Sequence, residues 1–147
     1  MIKITNLEQL KKYKTNHFFC KDDDCDHIEY IFQKNNQLQD IEFDININFC
    51  LEEQFKTDLK TQNPIRHCFV AKNIKFNAGC CLYKIVAQNL YVKKICDVEY
   101  LEIMQTINAD NLSAHTLVAR NINANVCIVS HNLKCKNMNV KKFVFSI

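Results

Sequence analysis

A five-residue spacing of large apolar residues runs through the second half of the chain and constrains its fold more than any other feature. In LSAHTLVARNINA, residues 112 to 124, Leu112, Leu117 and Ile122 are each followed two positions later by an alanine. An α-helix repeats about every 3.6 residues and would scatter these side chains around its circumference, whereas a strand repeats every two. Neither element alone explains the pattern.

The spacing indicates very short strands that are joined by corners. A residue and its second neighbour point to the same side of an extended segment, so each unit supplies two inward side chains before the chain turns. With one extra residue at some corners, the large inward positions are Phe69, Ile74, Cys80, Ile85, Leu90, Ile95, Leu101, Ile107, Leu112, Leu117, Ile122, Ile128, Leu133, Met138 and Phe143. Among the accompanying second positions Asp97 is a misfit, which either takes an internal hydrogen bond or yields its place to Val98.

Reading every fourth unit aligns columns of residues that are 21 or 22 positions apart, such as Phe69, Leu90, Leu112 and Leu133. Four walls per turn predict a coil that is square in cross-section. Coils stacked about 4.8 Å apart would bury a continuous central column. The sequence therefore predicts a mainly β fold, a quadrilateral β-helix of about four coils in residues 67–147.

Asparagine supports the prediction of corners, because it often stands immediately before the large residue. Asparagine tolerates turn conformations, and its amide can bond the backbone of a turn. Asn89, Asn111 and Asn132 fall in one of the predicted columns. We expect their side chains to form a ladder between coils.

The units LSAHT, LVARN and INA, and the segment NINANVCIVSHNLKCKNMNVKKF at residues 121 to 143, resemble the pentapeptide-repeat family and its relatives with NIxA-type repeats. Most of these relatives are uncharacterised bacterial and phage proteins. The resemblance covers roughly the last half of the chain and implies a right-handed quadrilateral β-helix. It departs from the commonest pattern, in which the small residue precedes the large one by two positions. The phage-encoded relatives imply an inhibitor of a bacterial defence or nucleic-acid enzyme, anti-CRISPR-like in role.

Residues 1–66 are predicted to form a small α/β cap on this solenoid. Thr5 and Glu8 have the spacing of a capping box, which predicts a short amphipathic helix after them. Apolar residues alternate strictly with polar ones from Ile41 to Leu51, which predicts a strand that joins the first coil. Solenoids need such caps, because an end coil otherwise exposes core side chains and unpaired backbone.

The segment HFFCKDDDCDH is the best candidate for a metal site. Its His17, Cys20, Cys25 and His27 are suitable zinc ligands, and the aspartates among them favour a cation nearby. The spacing is not that of a standard zinc finger. An acidic, solvated loop with two incidental thiols is the alternative interpretation.

The nine cysteines are interpreted as reduced thiols, because they are odd in number, lie mostly among apolar residues and follow no secretory signal. We therefore expect no structural disulfides and a cytoplasmic location. No run of 18 or more apolar residues occurs, so no association with a membrane is predicted.

The charge is unevenly distributed, at −3 in residues 1–68 and +6 in residues 69–147. Clustered cations near the end of the chain make nucleic acid a possible partner; these are Lys134, Lys136, Lys141 and Lys142. The chain has only two arginines, Arg66 and Arg120, which weakens that hypothesis. A basic solenoid is also a poor mimic of DNA.

The sequence favours a non-catalytic scaffold that binds a protein partner. Asp110 and His131 fall in one predicted corner column, but a convex corner lacks the enclosed pocket that catalysis needs, so we expect a surface ion pair there. The last coil leaves Phe143, Phe145 and Ile147 without a later coil to cover them, which predicts self-association through this end. A zinc- or nucleic-acid-binding regulator is the alternative, and no cofactor other than zinc is indicated.

Overall fold

The computed structural model describes residues 1–49 and 65–146 of a mainly β chain. One 3-10 helix spans Leu7–Tyr13. The strands of the N-terminal part are β1 (Ile2–Ile4), β2 (Lys14–Cys20), β3 (Cys25–Ile31), β4 (Gln33–Lys34), β5 (Gln37–Leu38), β6 (Ile41–Phe43) and β7 (Ile47–Asn48). The strands of the second part are β8 (Ile65–Val70), β9 (Asn73–Phe76), β10 (Cys80–Val118), β11 (Asn121–Lys134) and β12 (Asn137–Phe145).

Ten of these strands form one open, curled sheet, and β4 and β5 form a separate small hairpin. All pairings in the large sheet are parallel except that of β2 with β3, which form an antiparallel hairpin. Strand β10 runs for 39 residues and pairs with β7, β8, β9 and β11. Because one long strand meets so many partners, the sheet must bend several times along it.

In the second half the backbone runs alongside itself at a sequence offset of three five-residue units, with an extra position in places. Phe69 lies beside Ile85, and Leu112 lies beside Cys127 rather than beside Leu133. The predicted four-unit coil is therefore wrong, since three units, and not four, separate the paired residues. The five-residue rhythm is compatible with either number, so the sequence alone did not distinguish a three-unit circuit from a four-unit one.

Most of the predicted inward positions are buried, and two of the exceptions, Ile95 and Ile128, follow from the three-unit register. Ile95 is 58% exposed, because Cys96 occupies the inward position. Ile128 is likewise 40% exposed, and its neighbour Val129 is buried instead. The buried Val98 confirms that Asp97 yields its inward place.

Asparagine side chains form a ladder, and its members are the residues that the three-unit register places side by side. The Asn89 amide donates to the Asn73 side-chain oxygen at 2.9 Å, and that of Asn137 donates to Asn121 at 2.8 Å. Thr106 joins these two asparagine pairs, since its backbone N–H donates to Asn89 and its hydroxyl accepts from Asn121. The predicted column of Asn89, Asn111 and Asn132 is wrong for the same reason as the coil length.

The N-terminal part covers one end of the curled sheet. The predicted helix is 3-10 rather than α, and its capping box is formed by Asn6 and Gln9 instead of Thr5 and Glu8. Its Leu10 is buried against the core. The helix therefore closes this end of the core, as a cap is expected to do.

The predicted alternating strand is present as two short strands. Ile41 of β6 lies beside Ile74 of β9, and Ile47 of β7 lies beside Cys80 of β10. One hydrophobic core continues from the cap into the second half of the chain. The division into residues 1–66 and 67–147 stays a prediction.

The cysteines depart from expectation at one position. Among the described residues seven cysteines are free, but Cys81 is disulfide-bonded, so the expectation of no disulfides is wrong. Its neighbour Cys80 points into the core, whereas Cys81 is half-buried on the other side of the strand, beside Asn48. Within the described residues, no helix has the length and apolar character needed to cross a membrane.

Replacement of an inward and an outward residue tests the register. We expect Leu90→Ala to lower the free energy of unfolding by about 2 to 5 kcal/mol, because it empties space in the core. Ile95→Ala should change it by less than about 0.5 kcal/mol, because Ile95 is exposed. Urea denaturation measures both, and equal losses would contradict the register.

Candidate functional site

The acidic Cys/His segment is the tip of the β2–β3 hairpin. Residues 21–24 form the turn, and Asp24 there has a φ of 56°, in the left-handed region that aspartate tolerates. Cys20 ends β2 and lies directly opposite Cys25, which begins β3. The hairpin pairing therefore places two thiols, five positions apart in sequence, directly across from each other.

The hairpin separates His17 from the other three predicted zinc ligands. Successive side chains of a strand point to opposite faces, so Cys25 and His27 share one face with the paired Cys20. His17 is an odd number of residues from Cys20 and lies on the other face. There its Nε2 atom is 3.7 Å from a carboxylate oxygen of Asp26. The structure thus does not assemble the predicted four-residue set.

A different set converges at the tip, in which Asp23 replaces His17 and Cys25. The ligand atoms of Cys20, Asp23 and His27 all lie within 4.8 Å of one another. The Asp23 Oδ2 atom is 2.8 Å from His27 Nε2. Cys25 Sγ instead donates to the Asp23 backbone oxygen at 3.2 Å. Sequence reasoning counted Asp23 only as a source of negative charge, because nothing in the spacing singled it out from its acidic neighbours.

The Asp23 carboxylate is held in its charged form. Burial acts to raise its pKa, but the hydrogen bond with His27 and the positive charge of Arg66 bring the pKa below the ordinary value. Arg66 Nη1 is 3.6 Å from Asp23 Oδ2. A charged carboxylate, a thiol and an imidazole are therefore available together at the tip.

A ladder of rings continues from Arg66 along the second half of the chain. The Arg66 guanidinium lies 4.5 Å from the centre of the Tyr83 ring, and Tyr83 is 5.0 Å from Tyr100. His115 follows at 5.4 Å, and His131 stacks on it at 4.6 Å. Each ring after Tyr83 belongs to the next passage of the backbone, that is, to the stretch of chain that pairs alongside the previous stretch. Sequence reasoning missed this ladder because it used the wrong circuit length.

The ladder meets the hairpin tip and also corrects an expectation from the sequence. The ring of His27 contacts the edge of Tyr83, with centroids 5.5 Å apart.

Since His131 stacks on His115, the predicted column of Asp110 with His131 is wrong. Asp110 instead lines a surface groove in another part of the molecule.

The C-terminal end of the sheet is formed by β12, which pairs only with β11 among the described strands. Phe143 lies beside the buried Cys127, and Phe145 beside the buried Val129, so both phenylalanines continue inward columns. They are nevertheless 41% and 42% exposed. In the described part of the chain nothing covers them, and the core is open at this end. Ile147, the third predicted interface residue, lies outside the described residues.

Positive charge surrounds this open end. From residue 111 to residue 147 the sequence contains five basic residues and no acidic one. The four predicted nucleic-acid-binding lysines are all exposed here; they are Lys134, Lys136, Lys141 and Lys142. The C-terminal end therefore combines exposed apolar side chains with a cationic surround.

One of these four lysines lies in a surface groove with a volume of about 560 Å³. Lys141 lines it together with Lys75, Lys93, Asp110 and the half-exposed Tyr91. Side-chain amides complete much of the lining, from Asn77, Asn108, Asn123, Asn125 and Asn139. The groove is therefore polar and mildly basic.

No known protein family, curated protein or solved structure matches this chain. The resemblance to the pentapeptide-repeat family stays a prediction. The features that bear on function are the hairpin tip, the ring ladder, the groove and the open end.

Arg66 links the hairpin tip to the ladder, and its replacement should loosen that link. We expect Arg66→Gln to lower the free energy of unfolding by about 1 kcal/mol, the usual size of a cation–π contact plus a partly exposed ion pair. Arg66→Lys should lose part of this, because an ammonium cannot stack as a planar guanidinium does. Chemical denaturation measures both.

The exposed Lys72→Gln is the control for that measurement, with an expected change below about 0.5 kcal/mol. If Arg66→Gln were as neutral as this control, the Arg66–Tyr83 contact would not stabilise the fold.

Proposed function

We propose that the protein is a non-catalytic scaffold that binds a partner polypeptide at its C-terminal end. The observation that carries the proposal is the exposure of Phe143 and Phe145, two members of inward columns, on a strand whose outer edge pairs with none of the described strands. Exposed core side chains and unpaired backbone both gain free energy when another chain covers them.

The other end of the sheet supports this assignment by contrast. There the 3-10 helix, β1 and β3 pack against the core, and Ile4, Leu10 and Phe32 are buried. The chain thus covers its N-terminal end with its own residues. In the described residues the C-terminal end has no equivalent cover.

The shape of the scaffold follows from the register between passages of the backbone. That register accommodates three five-residue units in each circuit. We propose that the circuits form a three-walled solenoid, whose last circuit ends in β12. Such a solenoid presents one edge strand and the open interior of its last circuit on a single surface.

The occupant we propose is an extended, acidic segment of a different protein, added as a further strand beside β12. Backbone hydrogen bonds would give such a strand its affinity, and alternate side chains would contact Phe143 and Phe145. The positive charge around β12 favours an acidic segment. A second copy of this chain would bring two equally basic ends together, and like charges would oppose that pairing.

A synthetic peptide tests the proposal directly. A fluorescent peptide of alternating glutamate and valine should bind at low salt, and a peptide of alternating lysine and valine should bind at least tenfold more weakly. Methylation of the backbone nitrogens that face β12 should abolish binding, because it removes the strand's donors. Fluorescence anisotropy measures all three.

Protein variants complete the test. Phe145→Asp should weaken binding of the acidic peptide at least tenfold, whereas Ile95→Asp, also exposed, should leave it unchanged. Light scattering should show a monomer. Equal binding of the two peptides, or a dimer that Phe145→Asp dissociates, would contradict an acidic partner strand.

Binding of single-stranded nucleic acid is a second candidate function, favoured by the groove. Its Lys75, Lys93 and Lys141 can contact phosphates, and Tyr91 offers a ring on which a base can stack. The asparagine amides beside them can donate to and accept from bases. Asp110 in the same lining opposes phosphate, so we expect weak binding.

Salt dependence distinguishes this function from the first. If the three groove lysines neutralise phosphates, the logarithm of the affinity for a single-stranded oligonucleotide should fall with a slope of about −2 against the logarithm of salt concentration. Lys93→Gln should reduce the slope by about 0.7. Lys34→Gln, in the N-terminal part, should not alter it. Absence of binding at low salt would exclude the groove as a nucleic-acid site.

A further inference from the structure

We propose that the tip of the β2–β3 hairpin binds one zinc ion through the Cys20 thiolate, the Asp23 carboxylate and the His27 imidazole. This site is separate from the C-terminal end and does not depend on the proposed partner strand. Thiolate, carboxylate and imidazole are the three ligand types that zinc takes in proteins.

The positions of the ligand atoms agree with such a site. Bond lengths of about 2.0 to 2.3 Å in a tetrahedral zinc centre place ligand atoms roughly 3 to 4 Å apart. The three ligand atoms here already lie within 4.8 Å of one another. Small side-chain rotations bring them to the ion. The zinc ion then takes the place of the hydrogen bond between Asp23 and His27.

The backbone holds the ligands in place before an ion arrives. Cys20 and His27 belong to the paired strands of the hairpin, and Asp23 belongs to the tight turn between them. The Asp23 Oδ1 atom accepts from the backbone N–H of Cys25 at 3.2 Å, which fixes the carboxylate. Ligands on a rigid hairpin lose little conformational entropy when they bind a metal.

Aromatic residues fix the orientation of the His27 ring. Phe18 stacks on it with a centroid separation of 5.1 Å, and Tyr83 contacts its edge at 5.5 Å. His27 is only 8% exposed, and its Nε2 atom lies 2.8 Å from Asp23 Oδ2. A ring that is already held in this way loses little conformational entropy when it binds a metal.

The charges at the tip balance a divalent cation. As zinc ligands, the Cys20 thiolate and the Asp23 carboxylate would supply two negative charges, and the exposed Asp24 adds to the attraction. Arg66 is the opposing charge, 3.6 Å from Asp23, but it is drawn towards the Tyr83 ring and Glu99 on its other sides. Arg66 therefore acts on the carboxylate from outside the ligand set.

Two of the residues that the sequence suggested are excluded as ligands by their positions. His17 lies on the other face of the hairpin, beside Asp26. Cys25 is buried and directs its thiol to the backbone oxygen of Asp23. With three protein ligands, the fourth position on the ion is open to water, as in zinc sites whose ion remains accessible.

The first experiment measures zinc itself. Full-length protein, stripped with a chelator under reducing conditions and dialysed against zinc sulfate, should retain one zinc per chain by elemental analysis. Cys20→Ser, Asp23→Asn and His27→Gln should each weaken zinc binding at least tenfold in competition with a chromophoric chelator. His17→Gln and Cys135→Ser, which retain the proposed ligands, should bind as the wild type does.

The second experiment separates metal binding from a merely structural role of the same contacts. Cobalt(II) should give a thiolate-to-metal charge-transfer absorbance in the wild type that is absent from Cys20→Ser. Zinc should raise the thermal midpoint of the wild type and of His17→Gln, but not that of Asp23→Asn. Circular dichroism of the metal-free variants reports whether each one folds.

The controls make the result decisive. Stoichiometric zinc that depends on Cys20 and Asp23 and not on His17 supports the site. Less than half an equivalent of zinc in the wild type, or an equal loss in His17→Gln, would overturn it. If Cys20→Ser did not fold, unchanged zinc affinity in Asp23→Asn would overturn it as well.

Discussion

The parallel register between successive passages of the backbone is the constraint on which the rest of the structure depends. Each passage lies beside the one three units earlier, so side chains with that separation stack in columns. Inward columns form the core, the asparagine ladder joins neighbouring strands, and the rings from Tyr83 to His131 stack outside. At the last passage the same rule leaves Phe143 and Phe145 exposed, because a column without a next member has nothing to cover it.

Part of this organisation could be predicted from the sequence. The five-residue spacing correctly predicted pairs of inward side chains two positions apart, but these pairs lie within long strands such as the 39-residue β10 and not in short ones. The alternation from Ile41 onward correctly predicted strands that join the second half of the chain. The number of units per circuit could not be predicted, because an offset of three units and an offset of four both satisfy a rhythm of five. At the hairpin, Cys20 and His27 could be proposed as metal ligands from their side-chain chemistry. The exclusion of His17 required the strand pairing, which decides the face on which each side chain lies.

The two ends of the molecule differ in physical character. The N-terminal end is covered by its own chain and carries the hairpin cluster, where Arg66 and Tyr83 connect it to the ring ladder. The C-terminal end exposes core side chains within a basic surround. The proposed partner strand and the proposed zinc ion thus use separate surfaces. A variant at either one leaves the other intact, and each proposal can fail alone.

The register itself is open to one direct measurement, nuclear Overhauser effects in the folded protein. Paired strands lie about 4.8 Å apart, within the range of these effects. The three-unit register predicts cross-strand effects between backbone protons of Ala109 and Ala124, and between those of Leu112 and Cys127. Effects between Leu112 and Leu133 in their place would show the longer, four-unit circuits. That result would contradict the register, the ladders and the open end derived from it.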